Sequence, residues 1–123
     1  MAHLRMRMLV AACLWLQVSA PAHAHTAVAG TTPKSGSVLE QSPAVIEIRF
    51  EHAAHLTSVL VVAAGQPERK LAFTPGGGAT VFKLTDPALV PGRNEIRWRA
   101  LSSDGHVVSG SMHLLIRPGT KTN

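Results

Sequence analysis

Tyrosine is missing from the 123 residues, and three phenylalanines and two tryptophans supply all the aromatic surface. With so few rings there is no stacking row for bases and no broad face for gripping a polysaccharide, which argues against both classes of ligand. Cysteine occurs once, at Cys13, inside a segment expected to be removed. Disulfides, zinc ribbons, iron–sulfur ligation and thiol nucleophiles are therefore excluded from the remainder. Charged residues make up only 15% of the chain. No amphipathic helical pattern of useful length, no internal repeat and no domain-separating linker is present. The length fits one small domain, not a two-domain enzyme or a polytopic membrane protein.

The first segment, Met1 to Ala24, reads as a secretory signal peptide. Arg5 and Arg7 form its positive end. Met8 to Val18 is apolar but too short to span a bilayer comfortably. Ala22-His23-Ala24 has the small-x-small pattern of a cleavage site. Val10-Ala11-Ala12-Cys13 faintly resembles a lipoprotein box, but its use would leave too short an apolar region, and lipidation is set aside. Cleavage after Ala24 predicts an exported domain over 25–123 that begins at His25 and is not inserted in the membrane. The remaining Lys and Arg are dispersed, so the modest basic bias is no nucleic-acid footprint. Without disulfides, the domain must rely on its core, which about 100 residues can just supply.

What the domain does have is alternation. Ala44, Ile46, Ile48 and Phe50 share one face, with Glu47 and Arg49 on the other, the period-two pattern of a half-buried strand. Asn94, Ile96, Trp98 and Ala100 alternate with Arg93, Glu95, Arg97 and Arg99. Val108, Gly110, Met112, Leu114 and Ile116 form the inward set of a last strand over Val107 to Arg117. Leu56 to Ala63 is read as a separate second strand, with shorter ones at Arg69 to Phe73 and Ala79 to Leu84 and an edge strand at Thr26 to Thr31. Gln66-Pro67, Pro75-Gly76-Gly77-Gly78, Asp86-Pro87 and Pro91-Gly92 punctuate them. Six or seven short strands predict an all-β fold, an antiparallel sandwich or Greek-key barrel. Trp98 is expected in its core and Pro118 to Asn123 as a polar tail.

Five histidines remain: His25, His52, His55, His106 and His113. Histidine is the commonest side-chain metal ligand. Ser102-Ser103-Asp104-Gly105-His106 lies between two strong strands and is read as a turn on a rigid scaffold. Asp104 and His106 can point the same way, or Asp104 can orient the imidazole. The alternative is an ordinary Asp-Gly hairpin turn followed by a solvated histidine. A free amino-terminal His25 offers its amine and its imidazole in one chelate ring. With His106 and Asp104 this is a tetragonal N,O set of the kind that favours Cu(II). His52 and His55 form His-x-x-His after Phe50, with Glu51 beside them. On a helical turn they would share a metal; the blander reading is a loop of solvated histidines, preferred for His55. His113 is read as surface.

Three segments together resemble the periplasmic CopC-type copper-binding and copper-resistance proteins. They are His25-Thr26-Ala27-Val28-Ala29-Gly30-Thr31-Thr32-Pro33, Ala44-Val45-Ile46-Glu47-Ile48-Arg49-Phe50, and Trp98 to Ser111 with Ser-x-Asp-Gly-His at its centre. The third is the specific one. The resemblance implies a small Ig-like Greek-key barrel that binds Cu(II) through His25, Asp104 and His106. Family members often carry a Glu shortly after the strand-ending Phe. Here Glu51 follows Phe50 and His52 comes next, so each is a candidate outer ligand. The Met-rich loop of some members has no match in Val61 to Arg69, so one Cu(II) site and no Cu(I) site is expected.

The resemblance also implies copper buffering, resistance or delivery to a separate inner-membrane copper-uptake protein, by a non-enzymatic monomer. Two alternatives compete. One is a histidine-brace-like copper oxidase or oxygenase. The other is an Ig-like interaction module without metal.

Overall fold

The computed structural model describes residues 28–74 and 76–119, and among them there is no helix and hence none long and apolar enough to cross a membrane. The signal segment and His25 lie outside the described residues. Seven strands follow in order: β1 (Val28–Thr32), β2 (Val38–Leu39), β3 (Val45–Ala63), β4 (Arg69–Lys70), β5 (Ala79–Thr85), β6 (Gly92–Ser102) and β7 (Val107–Ile116). They form one curled sheet in the order β1-β3-β6-β7-β2, with β4 and β5 also paired to β3. The all-β fold expected from the alternation is what the chain adopts. The pairs are antiparallel except β2 with β7, where Val38 and Leu39 run parallel to Leu115 and Ile116.

The expected pair of strands at 44–50 and 56–63 is instead the single 19-residue strand β3. Its first half is held between β1 and β5, and its second half pairs β6 and, briefly, β4. β3 thus belongs to both layers of the curled sheet and makes the corner between them. Two irregularities allow this. Arg49 pairs Val81 and Ala54 pairs Ala79, so the residues between bulge out against β5. Leu56 pairs Ala100 and Ser58 pairs Arg99, leaving Thr57 as an extra residue. A one-residue bulge reverses which face each later side chain takes. Accordingly Ile46, Ile48, Phe50, Ala54 and Leu56 are buried at even positions, then Val59, Val61 and Ala63 at odd ones. The Thr57 hydroxyl donates to the Arg99 carbonyl across the bulge, at 3.0 Å.

The core lies between the two layers. Ile46, Ile48, Leu84, Ile96, Met112 and Leu114 are at or near zero exposure, with Phe50 and Trp98 beside them. Each aliphatic side chain so buried contributes roughly 1.5–3 kcal/mol. Phe50 meets Phe82 edge to face, with ring centroids 5.8 Å apart. Asn94 is the fully buried polar side chain of β6: its amide donates to the carbonyls of Val90 (2.8 Å) and Gly92 (3.1 Å) and accepts from Val90 N–H (3.2 Å). It therefore closes the loop that feeds β6.

Candidate metal centre

The β6–β7 hairpin carries the sequence-predicted turn. Leu101 pairs Val107, and Ser102 N–H donates to the His106 carbonyl at 2.9 Å, closing a loop over Ser103, Asp104 and Gly105. Gly105 N–H donates to the Ser102 carbonyl at 3.0 Å, and Gly105 sits at φ 86°, where a side chain would be strained. The segment is the tight hairpin turn of the blander reading, and it places the Asp104 carboxylate and the His106 imidazole side by side.

The Asp104 carboxylate is held from three sides. Oδ2 accepts from His106 Nδ1 at 2.9 Å. Oδ1 accepts from the Ser102 hydroxyl and from His106 N–H, the latter at 3.3 Å. The Ser102 oxygen in turn accepts from His106 N–H at 3.2 Å. These bonds, the Ser102 hydroxyl foremost and then His106, hold the Asp104 pKa down at about 2, well below its ordinary 3.8. The carboxylate is therefore ionised throughout the neutral range. A carboxylate on Nδ1 fixes the imidazole tautomer and leaves the Nε2 lone pair for a metal. The side chains of His106 and Asp104 are 71% and 54% exposed, so both are open to an incoming ion.

The β3 corner lies beside this turn. Ala54 pairs Ser102 on one side and Ala79 on the other. Glu51, His52 and Ala53, just ahead of Ala54, are exposed in the bulge. They are on a strand, so the helical turn on which His52 and His55 would share a metal does not form. His55 instead pairs Leu101 and lies against Gly78, its Nε2 3.3 Å from where a Gly78 Cβ would be. Among the described residues no three His, Asp or Glu side chains converge tightly enough to hold a metal ion by themselves. The structure thus brings Asp104 and His106 together and sets Glu51 and His52 on the neighbouring corner, while His25 falls outside the described residues. His113 is exposed on β7, as the alternation predicted.

Ser102 is the residue of the turn to which the sequence reading gave no role. It is buried, 6% exposed, and its hydroxyl donates to the Asp104 carboxylate. Its place at the end of the inward series Asn94, Ile96, Trp98, Ala100 was the available signal.

The matches to known proteins bear on the family and the fold. The model of the CopC domain family matches residues 28–117. The chain is 31% identical over 110 residues to copper resistance protein C of Pseudomonas syringae pv. tomato, covering 81% of this chain and 86% of that one. Among solved structures it resembles CopC from Methylosinus trichosporium OB3b at a TM-score of 0.62 and 20% identity, covering 78% of this chain and 97% of that one. It also resembles PcoC, described as a methionine-rich copper resistance protein from Escherichia coli, at a TM-score of 0.55 and 22% identity, covering 73% and 96%. At such identities the two structures speak for the fold.

Proposed function

The chain belongs to the CopC family, and on that footing we propose that it binds one Cu(II) ion in the periplasm, to buffer copper or to pass it to an inner-membrane copper-uptake protein. The observation that carries this reading is the Asp104–His106 pair: an imidazole oriented through Nδ1 on an exposed, rigid turn. The ligands are His106 through Nε2, the amine and imidazole of His25 once the signal peptide is cleaved, and the Asp104 carboxylate, which must leave His106 Nδ1 to reach an ion on Nε2. Glu51 or His52 adds an outer donor from the β3 corner. Nitrogen and carboxylate donors in a tetragonal set suit Cu(II). The naming of the Pseudomonas syringae relative as a copper resistance protein points the same way.

The protein acts as a copper carrier and not as an enzyme, a monomer with no dedicated Cu(I) site. Met112, the sole methionine after the signal segment, is fully buried, so its thioether is not presented to an ion. Phe50 and Trp98 are buried and Phe73 and Phe82 pack on the core, so among the described residues no aromatic face is offered to a polymeric substrate.

The test is native intact mass of the protein exported from its own signal and loaded with Cu(II). The reading expects a chain starting at His25 with one copper, and loss of that copper in His106→Ala. A chain starting elsewhere, or no retained copper, removes the amino-terminal chelate and with it the reading.

A further inference from the structure

β1 is a five-residue edge strand, paired to β3 along one side. Such a strand, with few ladder bonds, frays easily. Besides its ladder and the packing of Val28 on the core, it is held by the side chain of Arg49. Arg49, on the outer face of β3, directs Nη1 to the Thr32 hydroxyl of β1 at 2.7 Å and to Glu47 Oε1 at 3.0 Å. Its guanidinium reaches Thr32 by lying across Gly30: a Cβ at Gly30 would sit 2.8 Å from Nη2. The same glycine marks a β-bulge, because Gly30 pairs Arg49 whereas Val28 pairs Phe50. The clasp therefore locks a register that the ladder alone specifies weakly. A slip of one residue would turn Val28 off the core and to the opposite face.

We propose that Arg49 is a positioning residue for the metal centre: by clasping Thr32 and Glu47 across Gly30 it fixes the register of β1, the strand that delivers the amino-terminal ligand. This rests on the reading that His25 is a ligand. The residues of the clasp are not themselves metal ligands. It acts by cutting the freedom that the amino-terminal chelate must lose on binding, which is how preorganisation raises affinity.

The experiment is a double-mutant cycle on the full exported chain. Gly30→Ala expels the guanidinium without removing its charge, and Gly30 has no left-handed φ that alanine could not adopt. Arg49→Ala removes the clasp outright. Thr32→Val deletes only the hydroxyl and, at an exposed position, cannot unfold the domain. Three quantities are read: Cu(II) affinity by chelator competition, the electron paramagnetic resonance spectrum of the copper complex, and amide exchange of β1 without metal. Each single variant should weaken Cu(II) binding, Gly30→Ala and Arg49→Ala by roughly tenfold. Each should also shift the copper spectrum and speed exchange in β1 alone. Gly30→Ala in the Arg49→Ala background should cost nothing further, because the added methyl then meets no guanidinium.

Unchanged affinity and spectrum in Gly30→Ala and Thr32→Val overturn the proposal. So does a variant that loses thermal stability while its folded fraction keeps the original copper spectrum, for that is a merely structural role. His106→Ala is the control that separates the two ideas: if it binds copper as well as the parent, the copper reading itself has failed, whatever the clasp does.

Discussion

Trp98 on β6 lies flat across Gly110 on β7, its cross-strand partner, so closely that a Cβ at Gly110 would stand 2.5 Å from the indole ring. The missing side chain is what lets a residue of that size lie 3% exposed at the margin of a small core. Gly110→Ala should therefore lower unfolding free energy by about 1–3 kcal/mol, the usual range for overpacking. The check is a urea midpoint read by tryptophan fluorescence; an unchanged midpoint would mean the indole has room to move.

Asn94 should be harder to replace than any apolar residue of its size. Asn94→Leu fits the volume but strands the Val90 N–H and carbonyl and the Gly92 carbonyl, which now share its amide. A loss of about 2–4 kcal/mol is expected from the unsatisfied groups, with faster amide exchange at Val90. A variant as stable as the parent would show those groups to be solvated by other means.

The Asp104 carboxyl should titrate at about 2 in the metal-free protein. A pKa depressed by folding stabilises the native state above the unfolded value, and the contribution fades as pH falls through the folded one. The window is thus from 3.8 down to about 2. Ser102→Ala removes the leading cause, so the carboxyl resonance should move its midpoint back toward 3.8 in an NMR titration. A midpoint that stays put would transfer the effect to His106.

Copper retention should fall between pH 7 and pH 5, because protons compete for the amine and the imidazoles. His113→Ala should leave the curve where it is, and His106→Ala should weaken binding at every pH. The two histidines are seven residues apart on the same hairpin, so their contrast separates site from surface. Visible absorbance under chelator competition reads it, and equal losses in the two variants would count against the Asp104–His106 site.

The sequence spoke clearly wherever one face of a strand is buried and the other wet. Ile46, Ile48 and Phe50 on β3, and Ile96, Trp98 and Ala100 on β6, declare their period because their neighbours are charged. Leu56 to Ala63 declares nothing of the kind: it is apolar without interruption from Val59 on, and the bulge at Thr57 shifts its inward set from even to odd positions. The continuity of β3 through Glu51, His52 and Ala53 was hidden for the opposite reason, since all three are exposed where the strand turns its corner. Val38 and Leu39 are too few to carry a period. At the site, the Asp104–His106 spacing is legible because two residues and a glycine between them fix a local geometry. For Ser102 the alternation of β6 shows only that it points inward; its bond to Asp104 depends on the shape of the turn and is not legible.

The continuity of β3 also bears on how the molecule comes apart. A sandwich made of two independent sheets can open at the interface and leave each half paired. Here one uninterrupted strand supplies hydrogen bonds to β1 and β5 at one end and to β4 and β6 at the other. Neither half can dissolve without unzipping the strand on which the other is built, so melting should be a single event, and the β6–β7 turn should keep its shape until the whole chain is lost.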